Sequence, residues 1–195
     1  MGRRPKFTTD DLLDAALRIA LDEGPNAVTA AAVARASGAP SGSVYHRFAN
    51  SDEIVARLWL RTIVEYQAGL VAAMAGDDTA AAADAVIGHT FDWCATNPGK
   101  ARLLLTFDRR EIDRRASDTV AAELRDHNDA ARTALADWTR RHFGTTDHEA
   151  FDRAMWALID LPYSAVRRHL PDGRPRPWLI ESVRSTAREV ISRAD

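Results

Sequence analysis

The sequence predicts an all-α protein with a short N-terminal three-helix head and a longer helical domain behind it, about nine helices in total. Three observations carry this. Apolar residues recur at helical spacing along nearly the whole chain, and no segment alternates with period two. Most of the periodic stretches open on a capping residue and close on glycine or proline. The composition, 46% hydrophobic and 28% charged, belongs to a packed globular chain rather than a disordered one. Residues 1–50 form the head with a basic N-terminal arm, and residues 51–195 form the second domain.

The first helix follows the arm MGRRPK, which carries Arg3, Arg4 and Lys6 and no acid. Thr8 is its N-cap candidate, acids occupy its first turn, and Phe7 and Leu12 sit at staple positions. Gly24-Pro25 ends it. Thr29 caps the second helix, with Val28 placed to staple onto Val33. The small residues Ala30, Ala31, Ala32, Ala34 and Ala36 allow a close helix crossing, and Ser37-Gly38-Ala39-Pro40 breaks the helix. The third helix runs from Ser41 to Phe48, and Asn50 with Glu53 reads as a capping box for the next.

That fourth helix extends to about Gly76, with Val55, Trp59, Thr62, Tyr66, Leu70 and Met74 at helical spacing. Residues 77–96 come next, with Ala82, Val86, His89 and Trp93 on one stripe. Asn97-Pro98 reads as a cap with proline at the first helical position of a short helix ending near Phe107. Residues 108–115, DRREIDRR, read as a solvated connector because charges of both signs dominate them. The next helix carries Val120, Leu124, His127, Ala131, Leu135, Trp138 and His142 and stops at Gly144.

Residues 146–169 hold two apolar stripes, Phe151, Met155, Leu158 and Pro162 on one, and Trp156, Ile159, Tyr163 and Val166 on the other. Burial on both sides is expected, against the chain's own core and against something else. Pro162 should kink this helix or shift its hydrogen bonding. Pro171-Asp172-Gly173 and Pro175 make a rigid turn, and a last helix covers about residues 178–193.

Charge and cysteine usage bound the chemistry. The net charge is −2, so contact with a polyanion must come from a local patch. Cys94 is the sole cysteine and the six histidines are scattered, so no metal centre and no cofactor are expected. There is no apolar run for a membrane span and no signal peptide at the start, which makes the cytoplasm the expected compartment and a membrane partner unexpected. Catalytic signatures such as HExxH, GxSxG or a phosphate loop with its lysine are absent, and no catalytic residue is assigned.

Thr29 to Glu53 is the segment with a chemical purpose: two short helices, a glycine-marked turn, and hydroxyl, aromatic and basic groups on the second helix. A recognition helix meets base edges with its N-terminal residues while its neighbours touch phosphates. Ser41 and Ser43 are short donors and acceptors, Gly42 permits close backbone approach, and Tyr45, His46 and Arg47 suit phosphate or base contact. Val44 and Phe48 anchor the helix inward. Thr29 lies where cap and helix dipole can meet a phosphate.

Thr29 to Ala34, Ser37-Gly38-Ala39, Gly42-Ser43-Val44-Tyr45, Phe48 and Glu53-Ile54 resemble the DNA-binding domain of TetR/AcrR-type bacterial regulators, over roughly residues 8 to 56. The resemblance implies a homodimeric, ligand-responsive transcriptional repressor on a pseudo-palindromic double-stranded operator, with the last two helices pairing with the partner subunit. It puts base and phosphate contacts on Ser41, Ser43, Tyr45, His46 and Arg47, with Thr29 on the backbone. Two positions depart from the pattern. Pro40 stands where a serine or other cap is usual, so Ser41 is expected to cap instead; Ser51 replaces a phosphate-contacting lysine, which gives the arm of Arg3, Arg4 and Lys6 more to do.

Trp59, Tyr66, His89, Trp93, Leu103, His127 and Trp156 are the candidates to line a cavity for a small apolar or aromatic effector, since such sites are apolar with a few polar groups. For each histidine a hydrogen-bonded core role is the competing reading. Phe151, Met155, Leu158, Pro162, Val183, Ala187 and Val190 are the candidates for the dimer interface. A regulator of the same fold answering to a protein partner, or to nothing, is the alternative, and a helical enzyme with a vestigial head a more distant one.

Overall fold

A computed structural model describes residues 7–107, 109–170 and 176–192. Arg3, Arg4 and Lys6 lie outside the described residues, as does the expected turn at Pro171-Asp172-Gly173 and Pro175. The elements are α1 (Thr9–Asp22), a 3-10 turn (Pro25–Ala27), α2 (Ala30–Ser37), α3 (Ser41–Tyr45), α4 (Ser51–Met74), α5 (Thr79–Thr96), α6 (Pro98–Thr106), α7 (Arg109–Arg115), α8 (Asp118–Phe143), α9 (His148–Met155), a π turn (Trp156–Asp160), α10 (Leu161–His169) and α11 (Pro177–Ser192). No strand occurs among the described residues, and the all-α expectation holds.

The described residues cluster into two compact units. The first takes those of Met1–Ile63 and Arg102–Leu124, and the second those of Val64–Ala101 and Arg125–Asp195. In the first unit α1 packs on α2 and α2 on α3, around Leu12, Ala16, Val33, Val44, Phe48, Ile54 and Leu58, all at most 1% exposed. Thr8 and Asp11 close a full capping box on α1. The Asp11 carboxyl is held below the usual carboxylate range, first by the Thr8 backbone N–H and then by its hydroxyl. Arg61 of α4 reaches back to Asp14 at 2.8 Å and Asp10 at 3.6 Å, tying α4 to α1.

Three expectations need correction. Residues 109–115 are a helix, not a solvated connector. Ile112 is fully buried, Glu111 and Arg115 pair at i,i+4 (3.1 Å), and Arg115 also meets Asp52 at 2.7 Å and covers the Phe107 ring. One apolar residue and one helical ion pair give the segment a packed side that charge counting overlooks. The third helix is shorter than expected: α3 ends at Tyr45, after which the Arg47 and Phe48 N–H groups share the Val44 carbonyl in a tightened last turn. Asn97 does not cap α6 with its side chain. Its amide donates to the Trp93 carbonyl at 3.1 Å and closes α5, while Pro98 opens α6.

The second unit packs α5 against the π turn, α10 and α11. Pro162 has no N–H to donate one turn back, and the ladder just before it widens: the Leu161 N–H reaches the Trp156 carbonyl, five residues earlier. The expected shift in hydrogen bonding at Pro162 is this π turn.

Candidate functional site

The head is arranged so that α3 turns two kinds of side chain in opposite directions. Val44 and Phe48 are buried, while Tyr45 is 59% exposed and Ser41, Gly42 and His46 face solvent; Ser43 is half-buried. Gly38 at the end of α2 takes the left-handed conformation (φ 70°) that lets the chain turn into α3. Pro40 makes no side-chain cap, and its carbonyl accepts from the Ser43 N–H at 2.8 Å. Ser41 therefore does not cap α3, contrary to expectation, because α3 begins on it. A Cβ on Gly42 would meet nothing of the chain within 4 Å. Packing within the molecule does not require glycine there; close approach from outside would.

At the start of α2, Thr29 is exposed and its hydroxyl accepts from the Ala32 N–H at 3.1 Å. The neighbouring Ala30 N–H is taken by the Ser51 hydroxyl at 3.3 Å, so Ser51 faces the helix end. Asn50 caps α4 through the Glu53 N–H (2.9 Å), and the Glu53 carboxylate reaches back to Ala49 (2.7 Å), one residue beyond the partner a capping box prescribes. Arg47 differs most from its expected role. It is half-buried, and its guanidinium donates to the Ser43 carbonyl at 2.9 Å and the Phe7 carbonyl at 2.8 Å. The sequence reading overlooked Arg35, exposed and the only charged side chain of α2.

In the second unit the structure gathers Tyr66, His89 and Trp93 of the expected effector site. Tyr66 and His89 stack at 5.4 Å, and Trp93 meets Tyr66 edge-on at 5.3 Å. The histidine lies against Gly69 of α4, where a Cβ would come within 2.2 Å of its Cε1. The two hydroxyls and the His89 Nε2 have partners. Thr90 donates to the Val86 carbonyl, which leaves its oxygen to accept from the Tyr66 hydroxyl at 2.9 Å. The His89 Nε2–H donates to the Tyr66 carbonyl at 2.9 Å. Burial pushes the Tyr66 phenol up to about 12, against the pull of the Thr90 bond.

The other expected lining residues are not brought to this cluster. His127 is exposed on α8 and Trp156 is 48% exposed. Trp59 and Leu103 are buried in the first unit, and the Trp59 indole N–H has no hydrogen-bond partner. A pair that the sequence did not mark is less complete than the Tyr66 cluster. Gln67 of α4 donates to Asn128 of α8 at 3.0 Å, yet the buried Gln67 Oε1 and Asn128 Nδ2 have no partner. Both are ordinary polar residues on otherwise unremarked helix positions, so only their pairing in space makes them visible. Two clefts open in this unit, one of about 450 Å³ lined by Val71, Met74, Ala134 and Arg140, and one of about 640 Å³ lined by Arg132, Phe151 and Met155.

Of the expected interface residues, Leu158, Pro162, Val183 and Ala187 are buried within the subunit itself, where the π turn, α10 and α11 cover α5. Phe151, Met155 and Val190 are half-buried. On the second stripe of the same helix Trp156 and Tyr163 are 48% and 45% exposed, Ile159 is half-buried and Val166 is buried, and Trp178 at the start of α11 is 61% exposed. The widened π turn, Trp156–Asp160, sits within this stripe. No helix among the described residues is long and apolar enough to cross a membrane.

Residues 12–58 match the family model of bacterial regulatory proteins, tetR family. No curated protein matches the chain. Solved structures similar over nearly the whole chain include a tetR-family regulatory protein from Rhodococcus RHA1 (19% identity, TM-score 0.71, 96% of this chain and 98% of that one). A TetR transcription regulator from Haloarcula marismortui is similar at 17% identity and TM-score 0.71, over 94% and 96% of the two chains. FadR from Bacillus subtilis, solved in complex with stearoyl-CoA, is similar at 12% identity and TM-score 0.72, over 96% and 100%.

Proposed function

We propose that the chain acts as a TetR-type homodimeric repressor released by a small molecule, a reading supported by the match of residues 12–58 to that family's model and by the shared fold. The observation that carries the DNA half is the division of α3, with Val44 and Phe48 inward and Ser41, Tyr45 and His46 outward. In this reading α3 enters the major groove, Ser41, Gly42 and Ser43 approach base edges, and Tyr45 and His46 contact base or phosphate. Thr29 and the α2 N-terminus face the backbone, with Arg35 as a further phosphate contact. The arm residues Arg3, Arg4 and Lys6 add the positive charge that a chain of net charge −2 must concentrate locally.

The dimer forms through the outward stripe of Trp156, Ile159 and Tyr163, with Trp178 beside it. Two heads then meet half-sites about one helical turn of DNA, or a small multiple, apart. The effector binds within the helical domain, and what supports an apolar one is the cleft bordered by Val71, Met74 and Ala134 together with the stearoyl-CoA complex of the fold neighbour from Bacillus subtilis. Gln67 and Asn128 are the polar anchors, since a buried acceptor and donor left open lose free energy that a ligand restores. The ligand lowers operator affinity by its differential affinity for the form with mismatched heads.

The test is selection of a duplex from random-sequence DNA by the purified protein, and then a ligand screen for its release. A protein that enriches no sequence is not an operator-binding regulator. One that enriches a palindrome but is released by nothing is the constitutive or protein-controlled alternative.

A further inference from the structure

We propose that Arg47 is a positioning residue, which fixes the root of the basic N-terminal arm to the reading helix so that the two approach DNA as one body. The proposal rests on the DNA-binding reading of this head. One arm of the guanidinium fork donates to the Ser43 carbonyl in α3 and the other to the Phe7 carbonyl, at 2.9 and 2.8 Å. The planar fork suits two acceptors in one plane, which a lysine ammonium on its flexible stem does not reproduce. The two bonds engage both terminal nitrogens of the guanidinium and leave three of its five N–H donors over.

The adjoining residue is fixed independently. The Thr8 N–H and hydroxyl both donate to the Asp11 carboxylate at 2.8 Å, and the Asp11 N–H returns to the hydroxyl at 3.1 Å. The chain is thus held at residues 7 and 8, directly after the segment that carries Arg3, Arg4 and Lys6. Holding its root reduces the freedom the arm must lose on binding. Ser51 adds no positive charge beside the α2 N-terminus, where its hydroxyl accepts from the Ala30 N–H.

The probe is the duplex recovered by selection with the full chain, and binding is measured by fluorescence anisotropy between low and moderate salt. Arg47→Gln should weaken binding about tenfold in the full chain, in the range of a charged hydrogen bond. In protein lacking residues 1–6 the same change should cost less than about twofold, since coupled residues are non-additive. Arg47→Lys should be as weak as Arg47→Gln. Equal losses with and without the arm overturn the proposal, because Arg47 then supports α3 alone. Wild-type affinity in Arg47→Lys, with a salt slope about one lower in armless Arg47→Gln, also overturns it in favour of a phosphate contact. If the unaltered protein selects no duplex, the DNA-binding reading fails before any variant is made and this proposal fails with it.

Discussion

At the scale of single residues, Tyr45 and Arg47 stand two positions apart and meet different surroundings. Tyr45 and Arg47 look alike on paper as groups suited to a phosphate, but Tyr45 is 59% exposed whereas Arg47 is engaged with two carbonyls. Tyr45→Ala should therefore reduce operator affinity by about tenfold or more while leaving thermal stability unchanged, since it deletes a ring with little burial to lose. Unchanged affinity would remove α3 from the interface. The Tyr66 hydroxyl is the buried counterpart. Its folded pKa, about 12, lies above the ordinary tyrosine value of 10.0. Between those values the unfolded phenol has lost its proton and the folded one keeps it, so ν_U − ν_N is negative and stability falls as pH rises. The slope from this one group is about 1.4 kcal/mol per pH unit. Tyr66→Phe should lower stability by about 1 kcal/mol at neutral pH and flatten the decline between pH 10 and 12, read from chemical denaturation. An unaltered decline would mean that Tyr66 does not govern it.

At the scale of elements, the caps at Thr8, Thr29 and Asn50 and the breaks at Gly24, Gly38 and Gly144 were legible because each is a local device. How two helices meet was not legible. Nothing in the spacing of Gly69 and His89 reveals that the imidazole lies on the α4 backbone. The same blindness hid Ile112 within the charged residues 109–115, where one inward side chain makes a helix of an apparent connector. The α4–α5 contact gives a sharp expectation. Gly69→Ala places a Cβ 2.2 Å from the His89 Cε1 and should destabilise the protein by about 2 kcal/mol despite alanine's better helix propensity. Adding His89→Ala should recover part of that loss, a coupling that denaturant titration of the four proteins measures. Additive losses would mean that the glycine serves something other than the histidine.

For the molecule as a whole, the proposed two-headed reader requires one set of apolar side chains for the core and another for the partner. Leu158 is fully buried in the subunit and Trp156, two residues before it, is 48% exposed. Substituting the two should therefore have different consequences. Leu158→Ala removes core packing, at a cost of about 2–5 kcal/mol, and should melt the subunit early whether or not it is dimeric. The pair Trp156→Glu and Tyr163→Glu should leave the helical content unchanged and convert the protein to a monomer at micromolar concentration, because two desolvated carboxylates in an apolar contact are unfavourable. A stable dimer needs roughly 1,000 Å² or more of well-packed contact, and three outward aromatics on adjacent helices are the part of this surface able to nucleate it. A monomer also loses the effective concentration that joins the second head to the second half-site, so operator affinity should fall by about a hundredfold or more. Binding of a single half-site duplex should stay nearly unchanged. Light scattering reads the first effect and anisotropy on full and half operators the second. A dimer that survives both charges, with full operator affinity, would place the partner on another face, and the half-buried Phe151, Met155 and Val190 would then be the side chains to alter next.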